Sequence, residues 1–216
     1  MALSTYNDVL AALPAWTNRK NTDAVAPDLV ALAHAEICAK LRDRRMHYSV
    51  DASVDCGAVE LPRDFLEIVR VYRKNNGRLL TPATLDQIVD IRSNLTDDVP
   101  YVSGSDPTPM THFALRGNII EFAPSPTANN PAEVTILYFA RPPTLTGTTL
   151  TNWVLEQEPL LYLYGSLKHA APYLMDDERI KTWEEHFDAH IARLNVASRI
   201  ALHSGGSVRR RRRGFG

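Results

Sequence analysis

The chain has 216 residues, of which 44% are hydrophobic and 23% charged, and its formal net charge is −1, as is typical of soluble globular proteins. Its apolar runs fall short of the roughly 20 residues that a membrane span needs, and its N-terminus lacks the features of a signal peptide, so neither is expected. Only Cys38 and Cys56 are present, which argues against a disulfide framework; the two could pair, but two free thiols are favoured.

Residues 1–46 are predicted to form two helices. The first is expected over residues 5–13, after a Ser4 cap, and is expected to end at Pro14, because proline disrupts a helix interior. Pro27 favours the start of the second helix, since proline is well tolerated in a first turn. The buried side of this second helix is predicted to consist of Leu29, Leu32, Ala33, Ile37, Lys40 and Leu41.

Residues 47–145 are predicted to form a β-rich module, because the hydrophobic period shifts from 3.6 towards 2. Asn75-Asn76-Gly77 is a strong turn signal, and Thr81-Pro82 is typical of a helix cap and first position, here for a short helix through about Val89. Segment 65–72 combines a turn with an alternating pattern, and a loop is expected at 97–111. Strands are expected at 48–50, 58–61, 112–116, 118–122 and 133–141.

Residues 146–203 are predicted to form helices broken at Pro172. The long last helix is two-faced, since five large apolar side chains recur at helical spacing and charged residues cover the other side. A matching stripe on the preceding helix comprises Leu160, Tyr164, Leu167, Ala171 and Leu174. The predicted core of the region comprises Trp153, Tyr164, Leu167, Ile180, Trp183, Phe187, Ile191 and Leu194.

The order of these elements predicts an α+β fold. Helices from both ends form a bundle, an antiparallel β module is inserted between them, and residues 204–216 form an extended C-terminal tail.

The tail begins with a flexible Gly/Ser linker and carries five arginines, so residues 1–208 have a net charge of −6. Three uses of the arginines remain open: contact with phosphates, docking on an acidic protein surface, or simple solvation. The predicted partner-binding residues are Arg209, Arg210, Arg211, Arg212, Arg213 and Phe215.

Catalytic motifs are not evident in the sequence. His186 and His190 lie four residues apart, as two metal ligands on a helix can, but Phe187 stands where a zinc protease has glutamate and no third ligand is evident. We interpret both histidines as helix-surface residues. We interpret Asp176-Asp177-Glu178 as the acidic start of the last helix rather than as a catalytic carboxylate pair. No enzyme activity, metal or cofactor is predicted.

The sequence resembles the head–tail connector (adaptor) proteins of tailed bacteriophages over residues 5–195. The resemblance rests on TYNDVLAAL, PDLVALAHAEICAKLRDRR, LPRDFLEIVRVY and EVTILYFARPP, in this order. Its most specific part is TNWVLEQEPLLYLYGSLKHAAPYLMDDERIKTW. The tail beyond Ser204 lies outside it, so no role is carried over to the tail.

The resemblance implies a structural virion protein in the neck between capsid and tail, assembled in the host cytoplasm. It implies a homo-oligomeric, dodecameric ring that binds the portal protein and the tail or nozzle proteins and makes transient contact with genomic double-stranded DNA, with no membrane. An acidic body lining the DNA conduit would attract phosphates little. The alternatives are a DNA-binding packaging or regulatory protein that acts through the arginine tail, and a hydrolase that uses His186 and His190.

Overall fold

The computed structural model describes residues 3–18, 22–94, 110–126, 131–171 and 178–203. These residues form six α-helices and two β-sheets, so the predicted α+β class is confirmed. The chain divides into a helical unit, Met1–Arg45 with Pro142–Gly216, and a β unit, Met46–Arg141. The helices are α1 (Tyr6–Thr17), α2 (Ala26–Lys40), α3 (Leu85–Asn94), α4 (Trp153–Gln157), α5 (Pro159–His169) and α6 (Arg179–His203).

Helix α1 begins and ends differently from the prediction. Its N-cap is Thr5 rather than Ser4: the Thr5 hydroxyl accepts from Asp8 N–H at 3.2 Å, and the Asp8 carboxylate accepts from Thr5 N–H at 2.9 Å. Pro14 lies inside the helix, which continues to Thr17. Proline removes one backbone donor, but Asn18 N–H bonds back to the Pro14 carbonyl and closes the last turn.

The buried side of α2 also differs from the prediction. Leu32 is 50% exposed and Lys40 is exposed, whereas Val30, His34 and Cys38 are buried. The reason is that α2 packs against both α1 and α5, so its buried face is rotated relative to the stripe that the largest residues trace.

The β unit contains two sheets. The strands are β1 (His47–Val54), β2 (Ala58–Glu60), β3 (Phe65–Arg73), β4 (Thr81–Pro82), β5 (His112–Arg116), β6 (Ile119–Ala123) and β7 (Ala132–Ala140). One sheet has the order β1-β7-β3 and the other β2-β6-β5-β4. All pairings are antiparallel except β4 with β5. The predicted β5–β6 hairpin turns at Gly117, whose φ of 61° is a left-handed conformation that glycine tolerates.

The prediction for Thr81-Pro82 is wrong, because these residues form β4 rather than the start of a helix. Helix α3 begins later, at Leu85. Thr84 and Gln87 make its capping box, with the Gln87 side chain accepting from Thr84 N–H at 3.0 Å and the Thr84 hydroxyl from Gln87 N–H at 3.3 Å. Most of the predicted 97–111 loop lies outside the described residues.

Helix α5 occupies the centre of the helical unit, where it packs against α1, α2, α4 and α6. Contacts with four helices bury most sides of α5, so the single predicted stripe is wrong in part: Leu160 is 37% exposed and Tyr164 is half-buried. Leu174 and the predicted break at Pro172 lie outside the described residues. The buried residues of α5 are Leu161, Tyr162, Leu163, Gly165, Ser166 and Leu167.

Candidate functional site: the C-terminal helix and its anchors

Helix α6 runs for 25 residues and reaches the start of the basic tail. Trp183, Phe187, Ile191 and Leu194 are buried along one side of it, and Ile180 is half-buried. Trp153, a predicted core residue, is half-buried instead, and the guanidinium of Arg45 lies over its ring, 4.3 Å from the centroid.

A charged cluster ties α6 to α2 and α5. The Glu36 carboxylate lies 2.6 Å from Lys168 Nζ, 2.8 Å from Lys40 Nζ and 2.9 Å from His169 Nε2. Lys40 also donates to Asp188 of α6 at 2.8 Å. One carboxylate therefore joins two helices, and one ammonium extends the connection to the third.

The electrostatics of Glu36 and Lys40 follow from this geometry. Partial burial alone would raise the pKa of Glu36, but hydrogen bonds from Lys168 and Lys40 outweigh it and lower the pKa from 4.5 to about 2. Hydrogen bonds to Asp188 and then Glu36 raise the pKa of Lys40 to about 12. Both groups are therefore charged across the neutral range.

The Glu36 cluster is expected to make stability fall with acid. The folded state holds the proton more weakly than the unfolded chain, so the contribution of Glu36 is complete above about pH 4.5 and is lost as the pH falls towards 2. Urea unfolding measures this contribution. The free energies of unfolding of the wild-type chain and the Glu36→Gln variant should differ most above pH 4.5 and progressively less below it. Exposed Glu156→Gln is the control. If the difference in free energy of unfolding between the wild-type chain and Glu36→Gln stayed constant as the pH falls from 4.5 towards 2, the Glu36 cluster would not be the source of the acid sensitivity.

A second anchor holds α6 where α2 ends. The Asn195 side chain accepts from Arg42 N–H at 2.7 Å and donates to the Lys40 carbonyl at 3.0 Å. The Ser198 hydroxyl accepts from Arg44 N–H at 2.6 Å. The bond to Lys40 satisfies a carbonyl that the end of a helix leaves without an intrahelical partner. The late turns of α6 are therefore fixed to the segment that follows α2.

A buried polar network that the sequence analysis missed lies beside α5. The Asn152 amide donates to the Tyr162 hydroxyl at 2.8 Å and to the Pro143 carbonyl at 2.8 Å. Because the hydroxyl receives that hydrogen bond, its own proton is free to donate to His34 Nδ1, at 2.8 Å. Burial raises the pKa of Tyr162, so the hydroxyl stays protonated. Asn152, directly before α4, was the available signal, since asparagine is a favoured N-cap.

Tyr162→Phe is expected to lower the free energy of unfolding by about 1–3 kcal/mol, because it leaves buried polar groups of His34 and Asn152 without the hydroxyl. Chemical denaturation measures the change. Tyr48→Phe is the matched control, since Tyr48 is 55% exposed, and it should change stability little. Equal losses in the two variants would show that the network contributes nothing.

His186 and His190 of α6 make surface contacts. His186 stacks on Tyr164, with ring centroids 5.2 Å apart, and His190 Nδ1 lies 3.5 Å from the Glu158 carboxylate. Across the described ranges, no group of three or more His, Cys, Asp or Glu residues is placed to hold a metal ion. Cys38 is buried and Cys56 exposed, and the two do not form a disulfide with each other. None of the helices in the described part of the chain is long and apolar enough to cross a membrane.

The predicted partner-binding residues Arg209, Arg210, Arg211, Arg212, Arg213 and Phe215 lie outside the described residues, as do Asp176 and Asp177. Helix α6 begins directly after Glu178 and ends at His203, next to the Gly/Ser segment that leads to the arginines. The structure thus describes α6, the helix that directly precedes the tail in the sequence, and the contacts that attach α6 to the rest of the helical unit.

Comparison with known proteins places the chain in one family. No curated protein matches it. The sequence matches the SU10 adaptor protein family over residues 4–212, which extends beyond the resemblance at 5–195 and includes most of the arginine run. The chain therefore belongs to the SU10 adaptor protein family and is a structural adaptor of a bacteriophage virion.

Proposed function

We propose that the chain forms a homo-oligomeric ring in the neck of the virion, between the portal and the tail. Membership of the adaptor family supports this role. The observation that carries it is the double attachment of α6, by the Glu36 cluster near its middle and by Asn195 and Ser198 near its end. A helix fixed in this way gives the basic tail a rigid point of departure.

The tail is proposed to dock on an acidic surface of the portal protein. It concentrates five positive charges within nine residues, whereas residues 1–208 carry a net charge of −6. Arginine suits this role because its planar guanidinium binds carboxylates through two parallel hydrogen bonds. The acidic remainder would face the DNA passage, where it attracts phosphates little and lets the genome slide.

The ring proposal predicts binding to capsids that contain portal and no binding to capsids that lack it. Co-sedimentation of the purified chain with both kinds of capsid tests this, and electron microscopy of the bound particles shows whether a ring forms and whether it is dodecameric. Deletion of residues 208–216 should weaken binding strongly. A chain that binds neither kind of capsid would overturn the proposal.

Replacing Arg209–Arg213 with lysines separates portal docking from DNA binding by the tail. Lysine keeps the charge but loses the two-point contact with carboxylates, so capsid binding should weaken. If the tail instead binds DNA, log affinity should fall with log salt with a slope of about −4.5, and the lysine variant should keep that slope. Strong, salt-dependent DNA binding by both forms, with unchanged capsid binding, would favour the packaging or regulatory role.

A further inference from the structure

Helix α6 has a second apolar face in addition to the one that it buries. Val196 is 44% exposed and Ile200 is 64% exposed, and Ala189 and Ala192 are also exposed. These four positions are three, four and four residues apart, which places them on one side of a helix, opposite the buried Phe187 side. We call this set of four the α6 outer face.

Helix α2 has an exposed apolar face of its own. Leu32 is 50% exposed, and Ala35 and Ala39 follow it at spacings of three and four residues, also exposed. Its opposite side is buried, with Ala33 against Gly165 of α5. We call Leu32, Ala35 and Ala39 the α2 outer face. Small residues on both outer faces allow two helix backbones to approach closely.

We propose that the α2 outer face of one copy packs antiparallel against the α6 outer face of a second copy, and that this contact joins neighbouring subunits of the ring proposed above, on which the inference rests. In this register Leu32 lies against Val196, Ala35 against Ala192 and Ala39 against Ala189. Each face presents its residues at spacings of three and four, as in helices that pack side by side.

Charge decides the direction of the contact. Asp28 lies one turn before Leu32 on α2, and Arg199 lies three residues after Val196 on α6, and both are exposed. The antiparallel arrangement brings these opposite charges together. The parallel arrangement would instead bring Asp28 to Glu185, which lies one turn before Ala189 and is also exposed, and like charges disfavour it. The partner that fits both faces is therefore a second copy of this chain.

The contact is heterologous, because it joins two different surfaces. Each copy offers its α2 outer face to one neighbour and its α6 outer face to the other, and such contacts close into a ring when the rotation between copies allows it. The Glu36 cluster and the Asn195 and Ser198 anchors fix α6 to α2 within a copy, so the two outer faces are held by the same framework.

Cysteine cross-linking tests the register. The variant Leu32→Cys/Val196→Cys, in a Cys56→Ser background, is oxidised both at high concentration alone and when bound to portal-containing capsids. We expect a ladder of dimers, trimers and larger species on a non-reducing gel, since a disulfide requires Cα atoms about 4.4–6.8 Å apart. The control pair Leu32→Cys/Ala197→Cys places the second thiol on a different side of α6 and should give no ladder.

The possible results separate this inference from the proposed function. Cross-links that stop at dimers would overturn the ring contact in favour of a two-fold dimer. Absence of cross-links in chains that do bind capsids would overturn the proposed contact and leave the adaptor role intact. A ladder from the isolated chain without capsid binding would support the contact and count against the portal-binding role.

A charge placed within the contact gives an independent test. Ala192→Glu is expected to abolish the concentration-dependent association of the isolated chain, measured by sedimentation, and to reduce ring formation on capsids at least tenfold. Ala197→Glu makes the same chemical change on another exposed side of α6 and should leave both unchanged. Thermal unfolding of both variants checks that they fold alike. Equal association of the two variants would contradict the proposed contact.

Discussion

Replacing Phe187 with alanine is expected to lower the free energy of unfolding of the helical unit by about 3–5 kcal/mol. Phe187 is fully buried, and its ring packs against the backbone of Gly165 in α5. Lys168 Nζ lies 4.7 Å from the ring centroid and Lys40 Nζ 5.6 Å from it, so the ring also supports the two cations that hold Glu36. Truncation to alanine removes the apolar contact with Gly165 and leaves a cavity. It also weakens the Glu36 cluster, because Lys40 and Lys168 lose the ring beside them.

Urea unfolding measures this loss, and the change in adaptor binding to capsids shows its functional consequence. Leu202→Ala is a large-to-small control on the same helix, at a side chain that is 52% exposed, and should cost less than about 0.5 kcal/mol. If Phe187→Ala cost no more than this control, α6 would not be held through its buried face.

Elements with one dominant packing direction were predictable from the sequence. The spacing of Trp183, Phe187, Ile191 and Leu194 shows the buried side of α6 because that helix packs mainly on one side. Strand β7 and the β5–β6 hairpin were predictable for similar reasons, since an alternating pattern and Gly117 leave few other local structures.

Elements with several neighbours were not predictable in the same way. Helix α5 contacts four other helices, so hydrophobicity marks most of its surface and a single stripe cannot be chosen from it. The start of α3 was misassigned because both Thr81 and Thr84 can cap a helix, and only pairing of β4 with β5 decides between them. Local sequence does not contain that information.

Of the candidate site, the sequence alone points only to the tail, whose role as a binding site stays a prediction. The five arginines of the tail are evident from the sequence. The anchors of α6 are not, because they join residues far apart in the chain: Lys40 with Asp188, Arg42 with Asn195, and Arg44 with Ser198. The outer faces of α2 and α6 were missed for a related reason, since alanine is common on both buried and exposed helix sides and Leu32 fits an apparent core stripe.

Replacing Gly165 with valine is expected to destabilise the helical unit by about 1–3 kcal/mol or more. A Cβ at this position would lie 3.0 Å from Ala33 Cβ of α2 and 3.0 Å from Phe187 Cε2 of α6, so even the first carbon requires its neighbours to move. The absence of a side chain at Gly165 therefore sets how closely α2, α5 and α6 approach. Overpacking at this point should separate both helices from α5 and strain the bonds from Glu36 to Lys168.

Gly147→Val is the matched control, because a Cβ at Gly147 would meet nothing within 4 Å. It should leave urea unfolding nearly unchanged. The Gly165→Val loss should shrink when Ala33→Gly is added, since that change removes the α2 carbon that the new side chain meets. Glycine within α2 itself costs about 1 kcal/mol relative to alanine. A double-mutant cycle isolates the coupling from that cost. Strictly additive effects of the two substitutions would mean that the close approach of Gly165 to Ala33 does not limit the packing of α2 on α5. The framework that holds the α2 and α6 outer faces would then depend on other contacts.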